Sequence, residues 1–182
     1  MSRAIISAPS QQGRTYHSSA GRSTAGPGLP RRSAAWVALG ANLGDPPTLL
    51  GRARRWLGAL PQTTLEASSR VHVTTAVGPP QPDYHNAVVR LRTGLSPREL
   101  LGALQRLEQA AGRVRTVRWG PRVLDLDLVL YGERISDDPI LTLPHPRMHE
   151  RRFVLVPLCE LDPELAHPLL GRTMAELLAS CP

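Results

Sequence analysis

The sequence predicts an α+β domain of ferredoxin-like type: an antiparallel sheet in β-α-β-β-α-β order, helices packed on it, and a C-terminal extension. Three observations predict it. Two stretches, 48–60 and 97–111, repeat apolar residues at helical spacing behind proline-bearing starts. Short runs rich in apolar and β-branched residues lie around them. One of these runs, Leu124 to Leu128, alternates leucine with aspartate. With a side-chain period of two, Asp125 and Asp127 share one face, and Leu124, Leu126 and Leu128 enter a core on the other.

Taken in order, AAWVALG (34–40) reads as a buried strand stopped by Gly40. Asn42, Gly44 and Asp45 make a turn, with Asp45 as N-cap ahead of Pro46-Pro47. Leu49, Leu50, Ala53, Trp56, Leu57 and Leu60 form the stripe of a first helix, ended by Pro61. Thr63 to Thr75 reads as one strand and Asp83 to Thr93 as the next, joined by a Gly- and Pro-rich loop too long for a tight hairpin. Ser96-Pro97-x-Glu99 is a capping box opening a helix with stripe Leu100, Leu101, Leu104, Leu107 and Ala111, terminated by Gly112. An arginine-rich loop leads into the aspartate-bearing strand. Beyond Gly132 come a turn, the segment LTLPHP, a helix around 148–158 and a last short helix over 172–180.

Composition narrows the function classes. At 182 residues one domain is expected, with enough chain for a core. No apolar run approaches the roughly 20 residues of a membrane span. The net charge is +7, but residues 1–33 hold five arginines and no acid, leaving 17 basic and 15 acidic residues in the rest. The positive charge is therefore a poor argument for nucleic acid. Residues 1–33, rich in Ser, Gly, Pro and Arg, are expected to be a disordered extension to a domain over 34–182. Organellar targeting by that extension is a minor alternative to a cytoplasmic location. Cys159 and Cys181 have no metal spacing and read as free thiols.

Chemistry concentrates in RVRTVRWGPRVLDLDLVLY, residues 113–131. Two carboxylates on one face repel unless a cation lies between them, and Mg²⁺ commonly uses one or two carboxylates plus substrate phosphates. Arg113, Arg115, Arg118 and Arg122 lie just upstream. Guanidinium forks suit phosphate. The pairing suggests nucleotide-dependent phosphoryl-type transfer.

The stretches ALGANLGD, VGPPQPDYHNAVV, LEQAAGRVRTVRWGPRVLDLDLVLYG and LTLPHPRMHERRFVLVPL resemble the 6-hydroxymethyl-7,8-dihydropterin pyrophosphokinase family of folate biosynthesis, over about Trp36 to Pro168. That resemblance implies transfer of pyrophosphate from ATP to the pterin hydroxymethyl group, releasing AMP. It implies two Mg²⁺ held by Asp125 and Asp127. Arg113, Arg122 and Asp127 are the implied catalytic residues. Thr74, Val77, Tyr84, Asn86, Trp119 and Phe153 are implied to bind the pterin, Tyr84 and Phe153 sandwiching the ring and Asn86 reading its edge. Gln105, Glu108, Arg113, Arg115, Arg118, Trp119, Arg122, Leu128, Thr142, His145 and Arg151 are implied to lie on the ATP side, with Arg115 and Arg118 in a loop that closes over the nucleotide. The expected partners are these small molecules, not nucleic acid or membrane, and a monomer is expected. The competing expectation is a ferredoxin-like RNA-binding module, which shares the element order. Against it, the strands offer chiefly Tyr84 and Tyr131 as aromatics.

Overall fold

The computed structural model describes residues 32–76, 79–112 and 120–182. Strand β1 (Ser33–Ala41) is the centre of the sheet. It pairs antiparallel with β4 (Tyr84–Thr93) on one side and with β5 (Asp125–Tyr131) on the other. Strands β2 (Thr63–Ser68) and β3 (His72–Thr74) both lie along the far side of β4. The β-α-β-β-α-β order is as the sequence predicts, with two differences in its strands. Strand β1 runs through Gly40 rather than stopping there. The single strand expected over 63–75 is broken into β2 and β3.

The break is made at Ser69. Ser69 is 3% exposed, and its Oγ accepts the Val88 N–H at 3.0 Å and donates to the Arg70 carbonyl at 2.8 Å. Its own N–H donates to the Val88 carbonyl. A short polar side chain that satisfies backbone groups locally competes with the strand ladder, so the chain steps sideways before resuming as β3.

Helix α1 (Pro46–Gly58) begins where Asp45 accepts the Thr48 N–H, and α2 (Pro97–Ala110) begins with the reciprocal Ser96–Glu99 capping box. Gly112, at φ +87°, ends the second helix in the left-handed conformation that glycine tolerates best. Both helices cover one face of the sheet. Leu49, Leu50, Ala53 and Leu57 of α1 and Leu100 and Leu104 of α2 pack on Val37, Leu39, Val89, Leu91, Leu126 and Leu128. A fully buried leucine contributes about 1.5–3 kcal/mol.

Among the described residues, the opposite face is covered towards one end of the strands. There a 3-10 turn (Met148–Glu150), α3 (Arg152–Leu161) and α4 (Met174–Ser180) bury Trp36, Val88, Val129 and Leu130. The sequence reads one helix across 148–158, but the chain turns at Arg151, whose extended backbone separates the 3-10 turn from α3. Val129 and Leu130 both reach this second core because the register of β1 with β5 shifts at Trp36/Val37. Segment LTLPHP contributes β7 (Leu141–Leu143), which pairs with β6 (Ser136–Asp138) as a separate hairpin. Cys159 and Cys181 are free thiols. No helix among the described residues is long and apolar enough to cross a membrane.

Replacing Ser69 by Ala leaves the Val88 N–H and the Arg70 carbonyl without that hydroxyl. Loss of about 1–3 kcal/mol is expected, read as a lower urea midpoint at unchanged m-value. An unchanged midpoint would mean that the break between β2 and β3 does not depend on this side chain.

Candidate active site

Gly40 stands opposite Asn86 of β4 and opposite Asp125 of β5. By strand parity, Tyr84, Asn86, Gly40, Asp125 and Asp127 belong to the face that also carries Trp36 and Val88, beyond the end sealed by α3. A Cβ placed on Gly40 would meet Asn86 Oδ1 at 3.5 Å and both Asp125 Cβ and Tyr84 Cδ1 at 3.9 Å. The bare backbone is thus the floor between an amide-and-aromatic side and a carboxylate side.

On the carboxylate side, Arg122 Nη1 lies 2.5 Å from Asp125 Oδ1, and Arg151 Nη1 lies 3.7 Å from Asp127 Oδ2. Burial disfavours the Arg122 charge, but the neighbouring Asp125 carboxylate outweighs it and holds the guanidinium above its ordinary value. Burial acts in the same direction on Arg151 and there prevails, lowering it against the opposing Asp127 carboxylate. Both remain cations at neutral pH. His145 follows β7, and its N–H donates to the Val129 carbonyl of β5, so the PHP turn is tied to the same strand. Burial, then the Arg151 guanidinium, push the His145 ring down to about 4. Its Nδ1 accepts the Arg147 N–H at 3.2 Å. The neutral ring therefore carries its proton on Nε2, a donor suited to a phosphate oxygen.

Asp125 and Asp127 form an all-oxygen donor pair, with side chains 22% and 41% exposed. No group of three or more His, Cys, Asp or Glu that could hold a metal occurs among the described residues. Two carboxylates without a third protein ligand fit a hard cation that completes its shell with substrate oxygens.

On the other side, Asn86 is 5% exposed and its Nδ2 donates to Thr74 Oγ1 at 2.8 Å. That bond ties the candidate edge reader to β3. The Tyr84 hydroxyl donates to the Gly120 carbonyl at 3.1 Å. Phe153, at the start of α3, is 36% exposed, high for the only phenylalanine of the chain. Arg151 stacks its guanidinium 5.6 Å from that ring. It thereby stands between Phe153 and Asp127.

Other candidates fall elsewhere. Glu108 is 5% exposed on α2, and its Oε1 accepts the Leu126 N–H at 2.7 Å. It braces the strand between the two aspartates from the helix-covered side. Leu128 points its side chain into the same core. Gln105 is exposed on α2, and Thr142 lies mid-β7 with its hydroxyl donating to the Asp138 carbonyl. Val77, Arg113, Arg115, Arg118 and Trp119 lie outside the described residues.

Two residues of the site have no role in the sequence reading. Gly40, read as a strand stop, lies inside the strand, where a glycine marks a close approach of other groups. Asn42, read as a turn residue, is 2% exposed. Its Nδ2 donates to Gln81 Oε1 and to the Pro82 carbonyl, both at 3.0 Å, while its Oδ1 accepts the Arg122 N–H at 2.8 Å. One amide joins the loop before β4 to the loop before β5. Only its place beside Gly40 hinted at this.

Residues 36–163 match the family model described as 7,8-dihydro-6-hydroxymethylpterin-pyrophosphokinase (HPPK). A 2-amino-4-hydroxy-6-hydroxymethyldihydropteridine pyrophosphokinase of Pseudomonas aeruginosa is 47% identical, covering 81% of this chain and 91% of that protein. The Synechocystis protein of the same name is 46% identical over 78% of this chain and 73% of its own length. Among solved structures, Plasmodium falciparum HPPK-DHPS with pteroate superposes with a TM-score of 0.67 at 12% identity, covering 82% of this chain. At that identity the likeness is one of fold, and this chain spans 43% of that longer one. With the family model covering most of the ordered elements and relatives near half identity, the chain belongs to the 7,8-dihydro-6-hydroxymethylpterin-pyrophosphokinase family.

Proposed function

We infer that the chain transfers pyrophosphate from ATP to the hydroxymethyl group of 6-hydroxymethyl-7,8-dihydropterin, giving AMP and the pterin diphosphate in folate biosynthesis. A bond forms between the hydroxymethyl oxygen and the β-phosphorus. The bond from that phosphorus to the oxygen bridging it to the α-phosphorus breaks, and the hydroxyl proton is released. The observation that carries this reading is Gly40, a bare floor with an amide reader on one side and paired carboxylates on the other.

In this reading Asn86 reads the pterin edge, Tyr84 and Phe153 flank its faces, and Thr74 fixes the Asn86 amide. Asp125 and Asp127 would hold Mg²⁺, two ions in our reading, which would supply charge neutralisation for the phosphate oxygens. Arg122 and Arg151 stand beside those carboxylates, where their guanidinium groups would bind and neutralise the phosphates. Neutral His145 donates from Nε2 to a phosphate oxygen without placing another full charge beside Arg151. Arg113, Arg115, Arg118 and Trp119 complete the nucleotide side and Val77 the pterin loop. The reaction runs in the cytoplasm on a monomeric domain over 34–182, without the leader. Membership of the family leaves the RNA-binding alternative without support.

The test is AMP formation from ATP and Mg²⁺ with and without the pterin. AMP appearing only with the pterin, and abolished by EDTA, is expected. ADP in its place would overturn the reading.

Gly40 has no left-handed backbone, and the atoms around an added Cβ stand at ordinary contact distance. Gly40→Ala is therefore expected to melt within about 2 °C of the wild type. The methyl group fills the floor, so turnover of the pterin should fall at least about tenfold. Full activity would remove Gly40 from the site.

His145 also gives the protein a pH signature. Its folded value of about 4 lies below the ordinary 6.5, so between these values the unfolded chain binds more protons. The contribution is complete above about pH 6.5 and is lost as pH falls towards 4. Wild type should lose about 1–2 kcal/mol more than His145→Gln between pH 7 and 4.5, a figure discounted for a half-buried ring. Parallel urea curves at both pH values would refute it.

A further inference from the structure

Strand β3 is three residues long and carries Thr74, the partner of the Asn86 amide. So short an element does not fix its own angle. Its far end is held by one carboxylate. Glu160 Oε1 accepts the Arg70 N–H at 2.9 Å and Arg70 Nε at 3.2 Å, and Glu160 Oε2 pairs with His72 Nε2 at 2.8 Å. Glu160 is near the end of α3, and Phe153 is near its start. Seven residues of helix separate them, about 10 Å along the axis. Between these ends, α3 packs Val154, Leu155 and Leu158 into the core under Val88.

The same helix thus bears a candidate pterin-stacking ring at one end and, at the other, grips the strand that carries Thr74, the partner of the candidate edge reader. We propose that Glu160 is a positioning residue for the pterin site, its carboxylate setting β3, and through Thr74 the Asn86 amide, against Phe153. The proposal rests on the pyrophosphokinase reading above. His72 stands directly opposite Asn86 in the β3–β4 register, so a shift at His72 is a shift under the reader. Besides the β3–β4 ladder and the bonds of Ser69 to Val88, the segment is held by Arg54 of α1, whose Nη2 donates to the Ser69 carbonyl at 2.9 Å. Arg54 acts ahead of Arg70, whereas Glu160 acts at Arg70 and at His72 of β3 itself. The Arg70 N–H, then the His72 and Arg70 side chains, hold the Glu160 carboxyl below its ordinary value, so the grip is that of a full anion. The sequence reading leaves both Glu160 and His72 without a role.

The experiment compares the full chain with Glu160→Ala, Glu160→Gln and His72→Ala. Readouts are KM for each substrate, kcat, and amide hydrogen exchange over 72–76 in the ligand-free protein. Glu160→Ala is expected to raise the KM for 6-hydroxymethyl-7,8-dihydropterin about tenfold, as loss of charged hydrogen bonds implies. KM for ATP and kcat should stay within about twofold, and exchange at 72–76 should accelerate. Glu160→Gln keeps an acceptor for the Arg70 N–H but not the charge, and should return only part of the loss. His72→Ala removes only one arm and should give a smaller rise in the same KM, which keeps the idea testable should Glu160→Ala fold poorly. An unchanged pterin KM, or equal rises for both substrates, overturns the proposal. Wild type that forms no pterin-dependent AMP would instead sink the functional reading, and the exchange data would still report on β3.

Discussion

The double register of β1 is the constraint on which the site hangs. Gly40 faces Asn86 on one neighbour and Asp125 on the other, so a single backbone position aligns both halves of the candidate site. Strand pairing allows no small error here. A slip of one residue would turn Asn86 and both aspartates towards α1 and α2 and bring Leu126 and Leu128 out. The apolar core under the helices therefore enforces the polar arrangement above it, since Leu39, Leu91, Leu126 and Leu128 cannot leave that core cheaply. Asn42 extends the constraint past the end of the strand. It binds the loops that lead into β4 and β5, so the two neighbours arrive in step.

Charge is handled with the same economy. Two carboxylates on one face would oppose folding, yet each has a guanidinium at hand, Arg122 for Asp125 and Arg151 for Asp127. Such pairs are worth little as stabilisers at a half-exposed surface. Their value is that they keep four charged groups in place without a ligand. The neutrality of His145 belongs to this balance, because an imidazolium would add to the cation already present at Arg151.

Much of this was legible in the sequence wherever the signal was local. The parity of Asp125 and Asp127, the Asp45 cap and the Ser96–Glu99 capping box all follow from spacing within a few residues, and the structure has them. The family motifs carried the rest of the candidate roles. What escaped was set by contacts far apart in the chain. The break at Ser69 depends on Val88, nineteen positions on. The grip of Glu160 on Arg70 spans ninety positions. Gly40 looked like a strand stop because glycine often is one, and only its two partners reveal why a side chain is missing there. The division of 148–158 at Arg151 likewise has no local punctuation, as neither proline nor glycine marks it.

The register shift in β1 and β5 divides one strand into a wet end and a dry end. Asp125 and Asp127 belong to the first, Val129 and Leu130 to the second, where α3 and α4 seal them. Selection for durability and selection for turnover thus act on different stretches of the same seven residues. Val129 and Leu130 can be repacked against Leu155, Leu158 and Leu177 without touching Asp125 or Asp127, so long as Arg151, Phe153 and Glu160 of the same covering segment keep their places.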